Sequence, residues 1–411
     1  MTKLKNNIIE IFIFFTIFLL LFYSSDPVIY DDSSRYLEGG LKGPPLYSII
    51  VLTLKSIFKT LNSIIIFQTI FLGFSIAFFA KTVSEHFNLN ILKKSIIAIF
   101  LFLPILKFYN NLLTETICNA FSLLFVSFII KLIYKLNIQN LFWSGIFVVL
   151  LLLTRNQFMF LYPVILLTYF GIFIIHNSKK TIILLTISFL SILLVHNSLI
   201  NLKKYIGKNL NNEKNILQND RGIFHFIFID AIYISSNEDS KLFKNKKLQN
   251  TFNEIFKKID DRKALVKYYD GRGHFGLSFA TIRDVSILPL EDLANRENIS
   301  VIDLKKDISI KIISANFVKY LKLIFKKFYD STWLFVFIPF FMLLAASTEF
   351  LKFKSKFSLI IIFLSSFTLA NHSVVYLFGR VQPRYLIYSD FILLIFIYII
   401  FSIILQKKIM N

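Results

Sequence analysis

Runs of about 20 apolar residues recur along this chain, each bounded by Lys, Asn or Asp, and they restrict its fold more than any other feature. A helix needs a run of this length to cross a hydrocarbon layer of about 30 Å. The chain has 411 residues, 55% of them hydrophobic and 17% aromatic, with 49 Phe, far too apolar for an ordinary soluble domain. Backbone groups in lipid must be satisfied within a helix or a closed barrel, and strand-like alternation is absent, so helices are expected. The fold class is therefore all-α and polytopic, with about ten spans near 8–23, 61–80, 94–108, 116–133, 141–154, 157–176, 181–199, 332–350, 357–376 and 389–405. The first run is not followed by a small-residue cleavage site, and it reads as a retained helix rather than a signal peptide.

With the amino terminus inside, the lysine clusters Lys93 and Lys94, Lys179 and Lys180, Lys352 with Lys354, and Lys407 with Lys408 all fall on one side, as the positive-inside rule demands. Both termini are then cytoplasmic, in a plasma (inner) membrane. The segment 44–60 is apolar but opens on Gly-Pro-Pro and carries Lys55 and Lys59, which suits a helix lying in the outer interface. The net charge of +21 sits in short clusters between apolar runs rather than along a basic stripe, so no nucleic-acid partner is implied; the partner is the lipid bilayer. Cys118 is the single cysteine, which excludes an internal disulfide and a thiolate metal site.

Residues 201–330 change character, with mixed charge, Asn-rich turns and short apolar runs. Three regions follow: an N-terminal membrane region at 1–200, an external hydrophilic insert at 201–330 of α or α+β type, and a C-terminal membrane region at 331–411. Within the insert, the glycine-rich stretch 271–276 around His274 lacks the strand-to-helix context of a nucleotide-binding loop and reads as a turn.

The loop after the first span carries the adjacent acids Asp31 and Asp32, with Tyr36 following at helical spacing. A carboxylate partly desolvated at a membrane edge has its pKa raised and is usable as a general base. The plainer reading is that a turn favours Asp and Ser. Asp32-Ser33-Ser34-Arg35-Tyr36, followed by Gly43-Pro44-Pro45-Leu46-Tyr47, resembles the first-loop signature of the GT-C membrane glycosyltransferases. It is most similar to the protein mannosyltransferase and lipid A aminoarabinose transferase branch. Leu113-Thr114-Glu115, the Arg155-centred link between two spans, and Gly379-Arg380-Val381-Gln382-Pro383-Arg384-Tyr385 resemble later elements of that branch, in order. The resemblance covers 1–200 and about 370–400 and leaves out the insert. Ser33 stands where a second acid is common in the branch and Asn156 where a Pro often follows the arginine, so the base is Asp32 or Asp31.

The topology drawn from apolar runs and lysines puts Asp31, Asp32, Glu115, Arg155, Arg380 and Arg384 on one face. Such a set suits transfer of a sugar from a polyprenyl-phosphate donor, whose leaving group needs cationic donors rather than a general acid. The resemblance implies Asp32 or Asp31 as base and Glu115 as a positioning or second acidic group of the catalytic set. It implies Tyr36, Arg155, Arg380, Arg384 and Tyr385 at the substrates, an inverting outcome, and a glycan, lipid or protein acceptor. No particular cofactor is implied, and a divalent cation is admissible. A polysaccharide polymerase or ligase is the alternative, with essential residues in the insert. A transporter fits less well, since its charges belong near the midplane on broken helices.

Overall fold

The structure is a computed structural model that describes residues 26–30, 33–37, 45–104, 108–210, 223–268, 274–332, 334–378 and 385–410. Helices account for nearly all of them, and one parallel bridge, Val28 with Asn111, is the only β pairing among the described residues. The elements in order are α1 (Ser34–Leu37), α2 (Leu46–Phe58), α3 (Asn62–Phe87), α4 (Ile91–Phe102), α5 (Glu115–Tyr134), α6 (Ile138–Thr154), a 3-10 turn (Asn156–Phe160), α7 (Leu161–His176) and α8 (Lys179–Leu210). Then come α9 (Ile223–Ile234), α10 (Lys246–Asp261), α11 (His274–Glu297), α12 (Val301–Ala315), α13 (Phe317–Thr332), α14 (Leu334–Phe353), α15 (Lys356–Phe378) and α16 (Ile387–Met410).

The Asn residues that bound the apolar runs act as caps. Asn90, Asn137 and Asn245 accept backbone N–H groups at the starts of α4, α6 and α10, and Asn88 and Asn177 close α3 and α7 in the left-handed conformation that Asn tolerates.

Among the described residues six helices are long and apolar enough to cross a membrane, at Asn62–Phe87, Glu115–Tyr134, Asn156–His176, Lys179–Lys203, Val336–Phe353 and Lys356–Leu377. The expected first span, 8–23, lies outside the described residues. The expected spans at 94–108 and 141–154 fall on α4 and α6, and the one at 389–405 falls within α16. At a rise of about 1.5 Å per residue, the 12 residues of α4 reach about 18 Å, short of a crossing, and the 17 of α6 about 25 Å, at the lower end of what a crossing takes. The 44–60 segment is indeed a separate short helix, α2, ended by Lys59 in a left-handed conformation.

The chain divides into two compact units. One comprises 1–212, 337–371 and 384–411; the other comprises 213–336 and 372–383. α8 thus runs on past 201, the expected start of the insert, and the second unit begins only after it, while the end of α15 groups with the insert. In the first unit α5 is the hub, packed against α3, α6 and α16 and buried along nearly its whole length. By contrast α8 and α14 leave large apolar side chains exposed, among them Ile183, Ile187, Leu194, Phe341 and Leu344. Aliphatic faces of this extent are ruinous in water and ordinary against acyl chains. Close approach of α7 and α15 depends on Gly171, where a Cβ would lie 2.2 Å from Leu359 Cδ1.

The second unit is an all-helical domain of α9 to α13 around a core that includes Phe228, Ile232, Phe252, Ile255, Ile282 and Ile308. α10 shows why it folds: Leu248, Phe252, Ile255, Phe256 and Ile259 recur at helical spacing on its buried face, while its lysines face water. Inside this core Lys327 of α13 donates to both carboxylate oxygens of Asp230 on α9 at 2.7 Å, with the side chains only 4% and 3% exposed. Burial pushes the Asp230 carboxyl up to about 6 and pulls the Lys327 ammonium down, so desolvation opposes both charges and the bidentate geometry holds them. Lys327 also donates to the Tyr376 carbonyl at 3.3 Å, which ties the end of α15 to this unit.

Asp230→Asn leaves the Lys327 charge buried without a counter-ion and is expected to cost about 3–5 kcal/mol, read as a lower unfolding midpoint of the purified chain, while Asp230→Leu with Lys327→Met recovers most of it. Gly171→Ala forces Leu359 off its rotamer and is expected to cost about 1–3 kcal/mol in the same measurement, relieved by Leu359→Ala.

Candidate functional site

The irregular link 108–114 enters α5 at Glu115 and organises the site. Its backbone carbonyls have no helix to bond within, so other segments supply the donors. Gln68, buried on α3, donates from Nε2 to the Tyr109 and Asn111 carbonyls at 2.7 and 3.0 Å. Val28 N–H donates to the Asn110 carbonyl at 2.9 Å, Leu112 N–H returns a bond to the Val28 carbonyl at 3.1 Å, and the Ser33 hydroxyl donates to the Leu112 carbonyl at 2.9 Å.

These bonds gather both halves of the first-loop signature on one link. Tyr30 and Ser33 close on each other, with Ser33 N–H donating to the Tyr30 carbonyl at 2.8 Å and Tyr30 N–H to the Ser33 hydroxyl at 2.9 Å. Tyr47, from the Pro-Pro-Leu-Tyr element, donates its hydroxyl to Gln68 Oε1 at 3.1 Å, and its ring meets Tyr36 edge to face at 4.8 Å. Gln68 therefore bridges Tyr47 and the link through its amide.

At the other end of the link, Glu115 is buried and accepts from Arg155 Nη1 at 3.3 Å. Arg155 terminates α6 in extended backbone, so its side chain leaves the helix axis and reaches across to α5 and α16. The same Nη1 donates to the Tyr388 hydroxyl, and the guanidinium lies 4.4 Å over the Tyr385 ring. The planar guanidinium thus meets an acid of α5 and a phenol and an aromatic face from the start of α16, an arrangement an ammonium on a flexible stem does not reproduce.

A second set of bonds locks those segments together. Gln157 donates to Asn371 Oδ1 at 2.5 Å and to the Tyr385 carbonyl at 2.9 Å. Asn371 Nδ2 donates to the same carbonyl at 3.2 Å and to Ser389 Oγ at 3.0 Å. Tyr385 is therefore held by its carbonyl while its ring covers Arg155.

Of the residues singled out in the sequence, Glu115, Arg155 and Tyr385 come together, and Tyr36 packs on Tyr47 beside the same link. Asp31, Asp32, Arg380 and Arg384 lie outside the described residues, as do 271–273 of the glycine-rich stretch; α11 begins at His274. Gln68, Gln157, Asn371 and Tyr388 were missed. Their signal was present: Gln68 and Asn371 are single amides inside apolar runs, which lipid or a core tolerates only when their hydrogen bonds are met. His372, next to Asn371 in sequence, bonds Tyr376 at 3.1 Å. Among the described residues no three His, Cys, Asp or Glu side chains gather as metal ligands.

No protein-family model, no curated protein and no solved structure matches this chain. Arg155→Met and Glu115→Leu are each expected to lower the unfolding midpoint, by about 3–5 kcal/mol where the partner charge stays buried. The double variant should lose clearly less than the sum, and an additive cycle would show that the pair is not coupled.

Proposed function

We propose that this chain is a multi-pass, GT-C-like membrane glycosyltransferase, with about ten spans, that moves a sugar from a polyprenyl-phosphate donor to an acceptor at the outer face of an inner membrane. The observation that carries the reading is the convergence on link 108–114. Ser33 of the first-loop signature donates to the link, Tyr47 shares Gln68 with it, and Arg155, which lies over Tyr385 of the Arg-Tyr element, pairs with Glu115 at its end. The motifs that resemble the GT-C pattern are far apart in sequence, and three of them share one set of bonds.

The chemistry is a single displacement. The acceptor oxygen forms a bond to the anomeric carbon as the carbon–oxygen bond to phosphate breaks. The electron pair leaves on the phosphate, and the hydroxyl proton passes to a carboxylate. Phosphate departs as a weak base, so no general acid is needed, unlike the paired carboxyls of a glycosidase. Asp32, or Asp31 beside it, is the base; Ser33, which follows the pair, donates to the Leu112 carbonyl on the link that leads into Glu115. Arg155 has its charge balanced by Glu115, so it acts as a positioning residue that fixes Tyr385. Stabilisation of the phosphate then falls to Arg384, the neighbour of Tyr385, with Arg380. This assignment neither requires nor excludes a divalent cation.

Asp31→Asn and Asp32→Asn, made separately, together with Arg384→Ala, test the assignment in membranes supplied with polyprenyl-phosphate sugars and glycan, lipid and peptide acceptors. One Asp variant is expected to lose transfer by about a hundredfold or more, and Arg384→Ala by a similar factor. Undiminished transfer in both Asp variants removes the base; essential residues in the insert instead would favour a polymerase or ligase.

A further inference from the structure

The helix that leads out of the insert, α13, has three faces, each of different chemistry. One is buried in the domain core, through Leu323 and the ion-paired Lys327. A second carries Phe317, Leu321, Phe325 and Tyr329, four residues apart each time, with Val318 alongside, and these stay exposed, from 37% at Leu321 to 71% at Phe325. At about 100° per residue they form a stripe about 120° wide. The third face follows on the flank of that stripe, where Lys322, Lys326 and Lys319 succeed one another around the helix.

We infer that the exposed face of α13 lies in the headgroup region of an anionic bilayer and fastens the insert to the membrane surface. A stripe of Phe, Leu and Tyr rimmed on one side by lysines is the pattern of a helix lying in the plane of an interface, its apolar face sunk at the acyl boundary and its cations at lipid phosphates. Tyr is suited to that depth, with an apolar ring and a polar hydroxyl. Chain connectivity makes the placement obligatory in range. Tyr329 precedes Val336, where a helix apolar enough to cross a membrane begins, by seven residues, so the two are never more than about 25 Å apart. A face this apolar, tethered this close to a bilayer and edged with positive charge, has the lipid surface as its natural partner. The buried Asp230–Lys327 pair gives the anchoring a second consequence: the same helix that grips the lipid is pinned to α9 by its opposite face, so the core of the insert is held at the surface through α13. This inference is independent of the transferase reading and stands or falls without it.

The test uses the full chain reconstituted in vesicles, with an environment-sensitive fluorophore on Phe325→Cys, Tyr329→Cys and, as a control facing water, the exposed Lys244→Cys. The wild-type chain sets the background, because Cys118 is its only cysteine and is buried. In vesicles of phosphatidylcholine with phosphatidylglycerol, headgroup-level nitroxide lipids are expected to quench the labels at 325 and 329 several-fold more than the label at 244. That contrast should shrink in pure phosphatidylcholine, and equally when Lys319, Lys322 and Lys326 are all changed to Gln. Quenching at 325 and 329 no greater than at 244 overturns the inference. Labels shielded from aqueous quencher yet unreached by nitroxide lipids overturn it too, by assigning the face to a protein partner. A contrast indifferent to phosphatidylglycerol overturns the role given to the lysines.

Discussion

Irregular backbone between apolar helices is the constraint from which this site follows. Segment 108–114 is not helical, and its carbonyls at Tyr109, Asn110, Asn111 and Leu112 must find donors or be left stranded in apolar surroundings. The fold answers with one buried amide on α3, one β-type bridge from Val28 and one hydroxyl from Ser33. Once those donors are committed, the first loop and the Tyr47 element have little choice of place, and Glu115 is presented at the start of α5. A polar site among so many apolar side chains is thus a by-product of satisfying a short stretch of main chain.

The same economy governs the charges. Arg155 and Glu115 share a buried environment where either alone would be costly, and Tyr388 and Tyr385 occupy the remaining sides of the guanidinium. The insert repeats the solution with Asp230 and Lys327, in a domain whose core is otherwise aliphatic and aromatic. In both places opposite charges come from elements distant in sequence, so each pair specifies which helices lie side by side as well as holding them.

The difference between the two units is one of solvent. α8 and α14 expose Ile, Leu and Phe along their length, whereas α10 segregates them to one face. α13 belongs to neither pattern, with a core face, an apolar outer face and a basic flank, the mark of an element with two surroundings besides water.

The sequence by itself determined the class of the molecule, because apolar run length and Asn or Lys punctuation are local properties: the described runs became helices, and Asn90, Asn137, Asn88 and Asn177 became caps. Its motifs also singled out Glu115, Arg155 and Tyr385, by resemblance to a known pattern, and these lie together. It set the end of α4 too late, at 108 where the helix closes at Phe102, since composition does not reveal where a helix stops. Only the tertiary structure decided the partners. Arg155 meets Glu115 across 40 residues and Tyr388 across 233, and Gln68 finds carbonyls more than 40 residues away, pairings that depend on which helices touch and at what depth. A hydrogen bond leaves no periodic trace in either strand of sequence that makes it, so the amides and phenols that complete this site became visible only when the chain was folded.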